Sequence, residues 1–252
     1  QYSICEGAIK IDQLKDFCKK NKIKSLGLSD SFNLSGALEF SEILSSVGTQ
    51  PIIGTQILFK FKKYIGFIPL IAKNIQGYKN IIELSSKSYL ENGNITDPHC
   101  NFDDLLKRND GVIVLSGSIN GLIGNLYNKG LFEDIEYIYN KLSQKFIDNF
   151  YLEIQRHEEQ NEKQFEIFNL NQSNKLNLPL IATNEVYYLD KSMHEAHDAL
   201  ICIGQKTYIN DANRHKLSNN HYLKSSDEMF DLFNDLPEAL ANNYNIPYRC
   251  NF

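Results

Sequence analysis

The chain has 252 residues, 42% hydrophobic and 23% charged, a globular balance that excludes a disordered polypeptide. A net charge of −5 and a pI near 5.7 exclude a surface dominated by nucleic-acid contacts, which needs a basic excess. No run approaches the ~18 apolar residues of a membrane span, no secretory leader is visible, and a start at Gln1 reads as a cut inside a longer chain.

Six short apolar runs, each bounded by Gly, Pro, Asn or Asp, read as buried parallel strands: 23–30, 51–59, 64–72, 111–116, 149–155 and 178–184. Helical periodicity fills the gaps. Ile11, Leu14, Phe17 and Cys18 mark one apolar face; Leu38, Phe40, Ile43 and Leu44 mark the next, stopped by Gly48. Tyr78, Ile81, Ile82 and Leu84 follow, then Ile135, Ile138, Tyr139 and Leu142, then Phe165, Ile167, Phe168 and Leu170 before Pro179. Ser225–Glu228 has the spacing of a capping box. Strands alternating with helices predict an α/β fold, and without a Gly-rich dinucleotide turn after the first strand a barrel fits better than an open sheet. With no linker visible, residues 1–252 read as one domain. Chemistry in such a barrel sits at the C-terminal strand ends. Here these carry Asp30-Ser31, Gln56, Ser116-Gly117-Ser118, Gln155-Arg156-His157 and Asn184-Glu185. Cysteines at 5, 18, 100, 202 and 250 are odd in number and never two residues apart, which predicts reduced thiols in a cytoplasmic protein.

Several segments in this order carry a resemblance: YSICEGAI at 2–9, LSDSFNLSGALEF at 28–40, PIIGTQI at 51–57, VLSGSINGLIG at 114–124, YLEIQRH at 151–157, PLIATNEVYYL at 179–189 and HEAHDALICI at 194–203. The chain resembles the polymerase and histidinol phosphatase (PHP) domains of bacterial replicative DNA polymerase III alpha subunits, of the C family. The resemblance implies a distorted seven-stranded (βα)7 barrel, TIM-barrel-like and of PHP type. It also implies that a seventh strand, carrying a His-x-His pair, precedes residue 1.

Active relatives use a trinuclear metal site for phosphoester hydrolysis, and the resemblance implies which positions would hold the ions. Glu6 stands where an Asp is usual, Ser31 for a His, Gln56 for a Glu, Ser118 for a Cys, Glu185 for an Asp and Tyr187 for a His, while His157 is kept. Phe67 occupies a looser His position. Hydroxyl, amide and phenol groups are poor ligands for several close divalent ions, which need imidazole and anionic donors. The expectation is a vestigial site with no bound metal, or at most one weakly held ion at Glu6 and His157, and no catalytic residue within these 252.

Ordinary roles stand beside these. Asp30 and Asn33 read as turn or cap residues. His157 reads as a hydrogen-bonded residue at the barrel end. His194-Glu195-Ala196-His197 fails the zinc-helix spacing and reads as an exposed helical turn. Glu158–Gln164 reads as a solvated face. With His at 99, 157, 194, 197, 215 and 221, no nucleophilic triad is readable. The turn at Ser118 and Asn120 lacks the marks of a phosphate loop.

The resemblance thus implies a structural and docking module of a polymerase chain. Its partners would be the remaining polymerase domains and the separate proofreading exonuclease subunit. Other replisome subunits and DNA would be reached through the full-length chain, and Mg²⁺ would serve palm carboxylates beyond residue 252. Alternatives are an active metal-dependent phosphoesterase or 3′–5′ proofreading exonuclease, and a free-standing histidinol-phosphatase-like enzyme.

Overall fold

A computed structural model describes residues 2–91, 97–211, 213–214 and 216–251. Its strands and helices alternate as β1 (Ser25–Ser31), β2 (Gln50–Phe61), β3 (Tyr64–Ala72), β4 (His99–Asn101), β5 (Val112–Leu115), β6 (Phe150–Ile154) and β7 (Leu180–Ala182). The helices are α1 (Ile11–Asn21), α2 (Ala37–Ser45), α3 (Ile75–Leu90), α4 (Phe102–Lys107) and α5 (Leu122–Asn128), followed by α6 (Phe132–Phe146), α7 (Glu162–Leu176), α8 (His194–Gln205), α9 (Ser226–Leu232) and α10 (Pro237–Arg249).

The strands join in the order β1-β2-β3-β5-β6-β7, with β4 paired to β2 off this path. The sheet curls, and residues of its two edges, β1 and β7, line one cavity. This is a distorted, incompletely closed α/β barrel. β5 and β6 are buried along their whole length because helices cover one face and the barrel interior takes the other.

Two strand expectations change. β3 runs antiparallel to both β2 and β5, whereas all six runs read as parallel. The cause is the two-residue link Lys62-Lys63, which is long enough for a hairpin and far too short for a parallel crossover. The seventh strand within the described residues is β4, three residues long, and its brevity hid it from periodicity.

Helix faces follow burial closely. Ile135, Ile138, Tyr139 and Leu142 are all buried on α6, and the Tyr139 hydroxyl donates to Asn169 Oδ1 on α7 at 2.8 Å. Leu38, Ile82 and Ile167, read as core-facing, are instead exposed at 72%, 40% and 52%. Leu38 and Ile82 lie one position off their helices' buried residues and Ile167 lies two from Phe165 and Asn169, so the short motifs overstated the apolar arc. The capping box forms as expected: Glu228 N donates to Ser225 Oγ and Ser225 N donates to Glu228 Oε2. α3 starts on Asn74, whose Oδ1 accepts from Gly77 N at 2.9 Å. Gly77 allows that turn to sit against the Gly111 carbonyl, since a Cβ there would fall 1.7 Å from its oxygen.

Candidate functional site

β1, the middle of β2 and the C-terminal ends of β6 and β7 line a 630 Å³ cavity; Gln56, read as a strand-end residue, lies midway along β2, where the shorter β1 ends beside it. The cavity's floor is apolar, with Ile52, Ile71, Leu115, Ile181 and Ile246. Its mouth is polar and gathers Glu6, Ser31, Gln56, Glu185 and Tyr187, five of the seven positions singled out from the sequence.

Parallel pairing of β1 with β2 sets Ser31 opposite Gln56. Gln56 Nε2 donates to Ser31 Oγ at 3.0 Å, and Ser31 Oγ donates to Glu6 Oε2 at 2.6 Å. The three side chains therefore satisfy one another in a single relay. Glu6 reaches the mouth on the 2–9 segment, which Ala8 N ties to the Tyr187 carbonyl at 2.8 Å. Past Ser31 the chain turns through Phe32 at φ 67°, and Phe32 packs edge-on to Phe67, so Phe67 serves as packing.

Asp30 is not a turn or cap residue: it lies within β1, is buried, and its Oδ1 accepts from Ser3 Oγ at 2.7 Å. Asn33 does make the expected turn, accepting from Ser35 N and donating to the Ser31 carbonyl.

Across the mouth, burial pushes the Glu185 carboxyl above its ordinary pKa, opposed by His221 and by a hydrogen bond with Tyr187, while Glu153 and Glu6 add to the rise. Burial and the neighbouring Glu185 raise the Tyr187 phenol strongly, keeping it neutral. Tyr187 stacks on His197 at 5.4 Å. The turn 194–197 is helical and exposed at Glu195 and Ala196, but not at His197, which is 2% exposed and whose Nε2 donates to the Glu6 carbonyl at 2.6 Å. The helical period turns His197 inward beneath the 2–9 segment.

Ser118 and His157 lie beside this cavity. Ser118 borders a separate small void with Glu153 and Asn169, and its Oγ accepts from Asn120 N. His157, 1% exposed, stacks flat on His221 with centroids 4.1 Å apart. Its Nε2 meets Asn184 Oδ1 at 3.1 Å and its Nδ1 lies 3.4 Å from Glu162 Oε1, while His221 Nε2 meets Glu159 Oε1 at 3.0 Å. The 158–164 stretch is therefore only partly a solvated face: Glu162 Oε2 accepts from the backbone N–H groups of His157, Glu158 and Glu159 and pins the turn into α7. Arg156 fastens the same turn, reaching Glu166 and Asp235. Among the described residues, no three His, Cys, Asp or Glu side chains are grouped to hold a metal ion. His215 lies outside the described residues.

Glu153 and Lys224 escaped the sequence reading. Glu153, 5% exposed, accepts from Gly117 N, Gln155 Nε2 and Thr183 Oγ1, and burial raises its pKa above the ordinary carboxylate value. Its signal was the two-residue alternation of Glu153 and Gln155 against Leu152 and Ile154, which sets both polar side chains on the cavity face. Glu153→Gln removes a buried charge while a rotated Gln155 amide and Thr183 hydroxyl re-pair the new amide, so thermal melts at pH 7 are expected to show a gain of about 1 kcal/mol that disappears at pH 4. The sign follows from the raised carboxyl: its penalty grows as pH rises above the unfolded value.

A curled sheet with helices outside and a polar site at its strand ends defines an α/β barrel of the kind that carries its chemistry at one mouth. The matching family model is the PHP domain, over residues 1–157. The chain belongs to the PHP domain family. Two relatives are similar over its whole length: the DNA polymerase III subunit alpha of Rickettsia conorii, 37% identical, and that of Caulobacter vibrioides, 34% identical. The chain spans 21% and 23% of their lengths, in their N-terminal region. A solved structure from Bifidobacterium adolescentis, described as a candidate metal-dependent phosphoesterase, aligns with a TM-score of 0.49 at 10% identity, covering 90% of this chain and 92% of that one. No described helix is long and apolar enough to cross a membrane.

Proposed function

We propose that these 252 residues are one PHP domain of a cytoplasmic replicative DNA polymerase III alpha chain, with an eroded metal site. The domain serves as architecture and as the dock for a proofreading exonuclease subunit. The carrying observation is the relay from Gln56 through Ser31 to Glu6, in which an amide and a hydroxyl stand where ligands would be and engage the remaining carboxylate. The phenol of Tyr187, held neutral, adds no ligand charge. This donor set does not fit two or three adjacent divalent ions, which need several anionic or imidazole ligands to offset their charge. A single ion shared by Glu6 and His157 is not favoured either, because Glu6 lines the mouth while His157 lies beside it with Nε2 on Asn184 and Nδ1 near Glu162. DNA synthesis by the full chain would use Mg²⁺ at carboxylates outside these residues, and other replisome subunits would join through the full chain.

The test is primer extension by the full natural chain with Mg²⁺, followed by incubation without nucleotides. Extension is expected, with mononucleotide release from the 3′ end only after a separate exonuclease subunit is added and co-elutes. Trimming by the chain alone contradicts the eroded site; failure to extend contradicts the polymerase reading.

A further inference from the structure

We propose that the tip of the β2–β3 hairpin, together with the adjoining surface of α6 and the end of α5, is a contact surface for single-stranded nucleic acid. The net charge of −5 is an average over an uneven surface. Lys62 and Lys63 form the hairpin turn, Lys129 follows α5, and Lys141 projects from α6. Each lies over an aromatic ring. Lys62 Nζ is 5.6 Å from the Phe61 centroid, Lys63 and Lys129 are 5.5 and 5.9 Å from that of Tyr64, and Lys141 is 5.5 Å from that of Tyr137. Phe61 and Tyr137 are 5.8 Å apart, and Phe61 is the register partner of Tyr64, so rings and ammonium groups make one continuous patch.

Only Lys62 has its charge answered, by Asp134 at 2.6 Å; Lys63, Lys129 and Lys141 form no ion pair among the described residues. Tyr137 is 49% exposed on this surface. Cations set beside partly exposed rings are what a single strand needs, because the phosphates take the charges and unpaired bases stack on the rings. A duplex keeps its bases stacked inside and an acidic protein has no bases, so neither would use the rings. The patch shares no residue with the cavity and stands independently of how that site is read.

The test is ultraviolet cross-linking of the full natural chain to a thymidine oligonucleotide, with the cross-linked peptides mapped by mass spectrometry, beside lysine-acetylation footprinting of the unmutated chain. Cross-links at Tyr64 or Tyr137 are expected, with Lys63 and Lys129 protected from acetylation by the oligonucleotide. The Lys63→Gln, Lys129→Gln, Lys141→Gln variant is expected to lower those yields and to reduce the slope of log affinity against log salt by about 2, while Arg at the same positions preserves both. Cross-links confined to other peptides, unchanged acetylation of these lysines, or their protection by an acidic protein and not by the oligonucleotide would overturn the proposal.

Discussion

Replacing Gln56 with glutamate, the residue type the resemblance implies there, is expected to destabilise this chain by about 2–3 kcal/mol at pH 7.5. Ser31 has one hydroxyl proton, and Glu6 already receives it. Gln56 meets the serine as a donor; a carboxylate in its place would instead point lone pairs at Ser31 Oγ and set a second negative charge beside Glu6. The loss has a defined pH dependence. Pairing raises the folded-state pKa of one carboxyl, so the deficit is absent near pH 4, where the protonated form of the introduced carboxyl can donate as the amide did. It grows as pH rises through that raised value. Urea titrations of Gln56→Glu and the unmutated chain at pH 4 and 7.5 check this. An unchanged midpoint at pH 7.5 would contradict the relay's contribution, and full recovery on adding Mn²⁺ would mean that the mouth remains a metal cradle.

The second large effect belongs to Lys224. It is 9% exposed, its Nζ donates to Asn184 Oδ1 at 2.8 Å and to the Asn220 carbonyl, and it lies 4.5 Å from the Tyr222 ring centroid. Burial lowers its pKa to about 8, partly countered by Glu228. Below pH 8 both folded and unfolded chains carry the charge, and the folded chain bears the full cost of burying it. Between about 8 and 10.5 only the unfolded chain holds the proton, so stability rises with pH across that window. Relative to Lys224→Met, the unmutated chain is expected to gain on the order of 3 kcal/mol between pH 7.5 and 10.5. A pH-independent difference between the two would show that Lys224 is solvated.

Much of the barrel was legible because its signals are local. Val112–Leu115 and Phe150–Ile154 are short, apolar on both faces and flanked by turn residues, so covered strands were the natural reading. Strand direction was not legible, since periodicity is identical for parallel and antiparallel strands; only the two-residue link at Lys62-Lys63 distinguishes them. At the site, Ser31, Gln56 and Tyr187 could be placed because each ends a strand, interrupts one or follows one closely. The relay that binds Ser31 to Gln56 depends on β1–β2 register, which no single segment encodes. The His157–His221 stack joins residues 64 positions apart, and His197 turns inward only because the 2–9 segment crosses above it. Glu162 looked like one charge in a charged run, yet three backbone N–H groups hold it in place.

The proposed erosion of the metal site is tested most directly by anomalous scattering at the manganese edge from crystals of the full natural chain soaked in Mn²⁺. The expected result is no bridged pair or triplet of peaks at the barrel mouth, with the Gln56–Ser31–Glu6 hydrogen bonds intact. Two or more peaks within about 2.2 Å of side-chain atoms at 31, 56, 118 and 187 would contradict it.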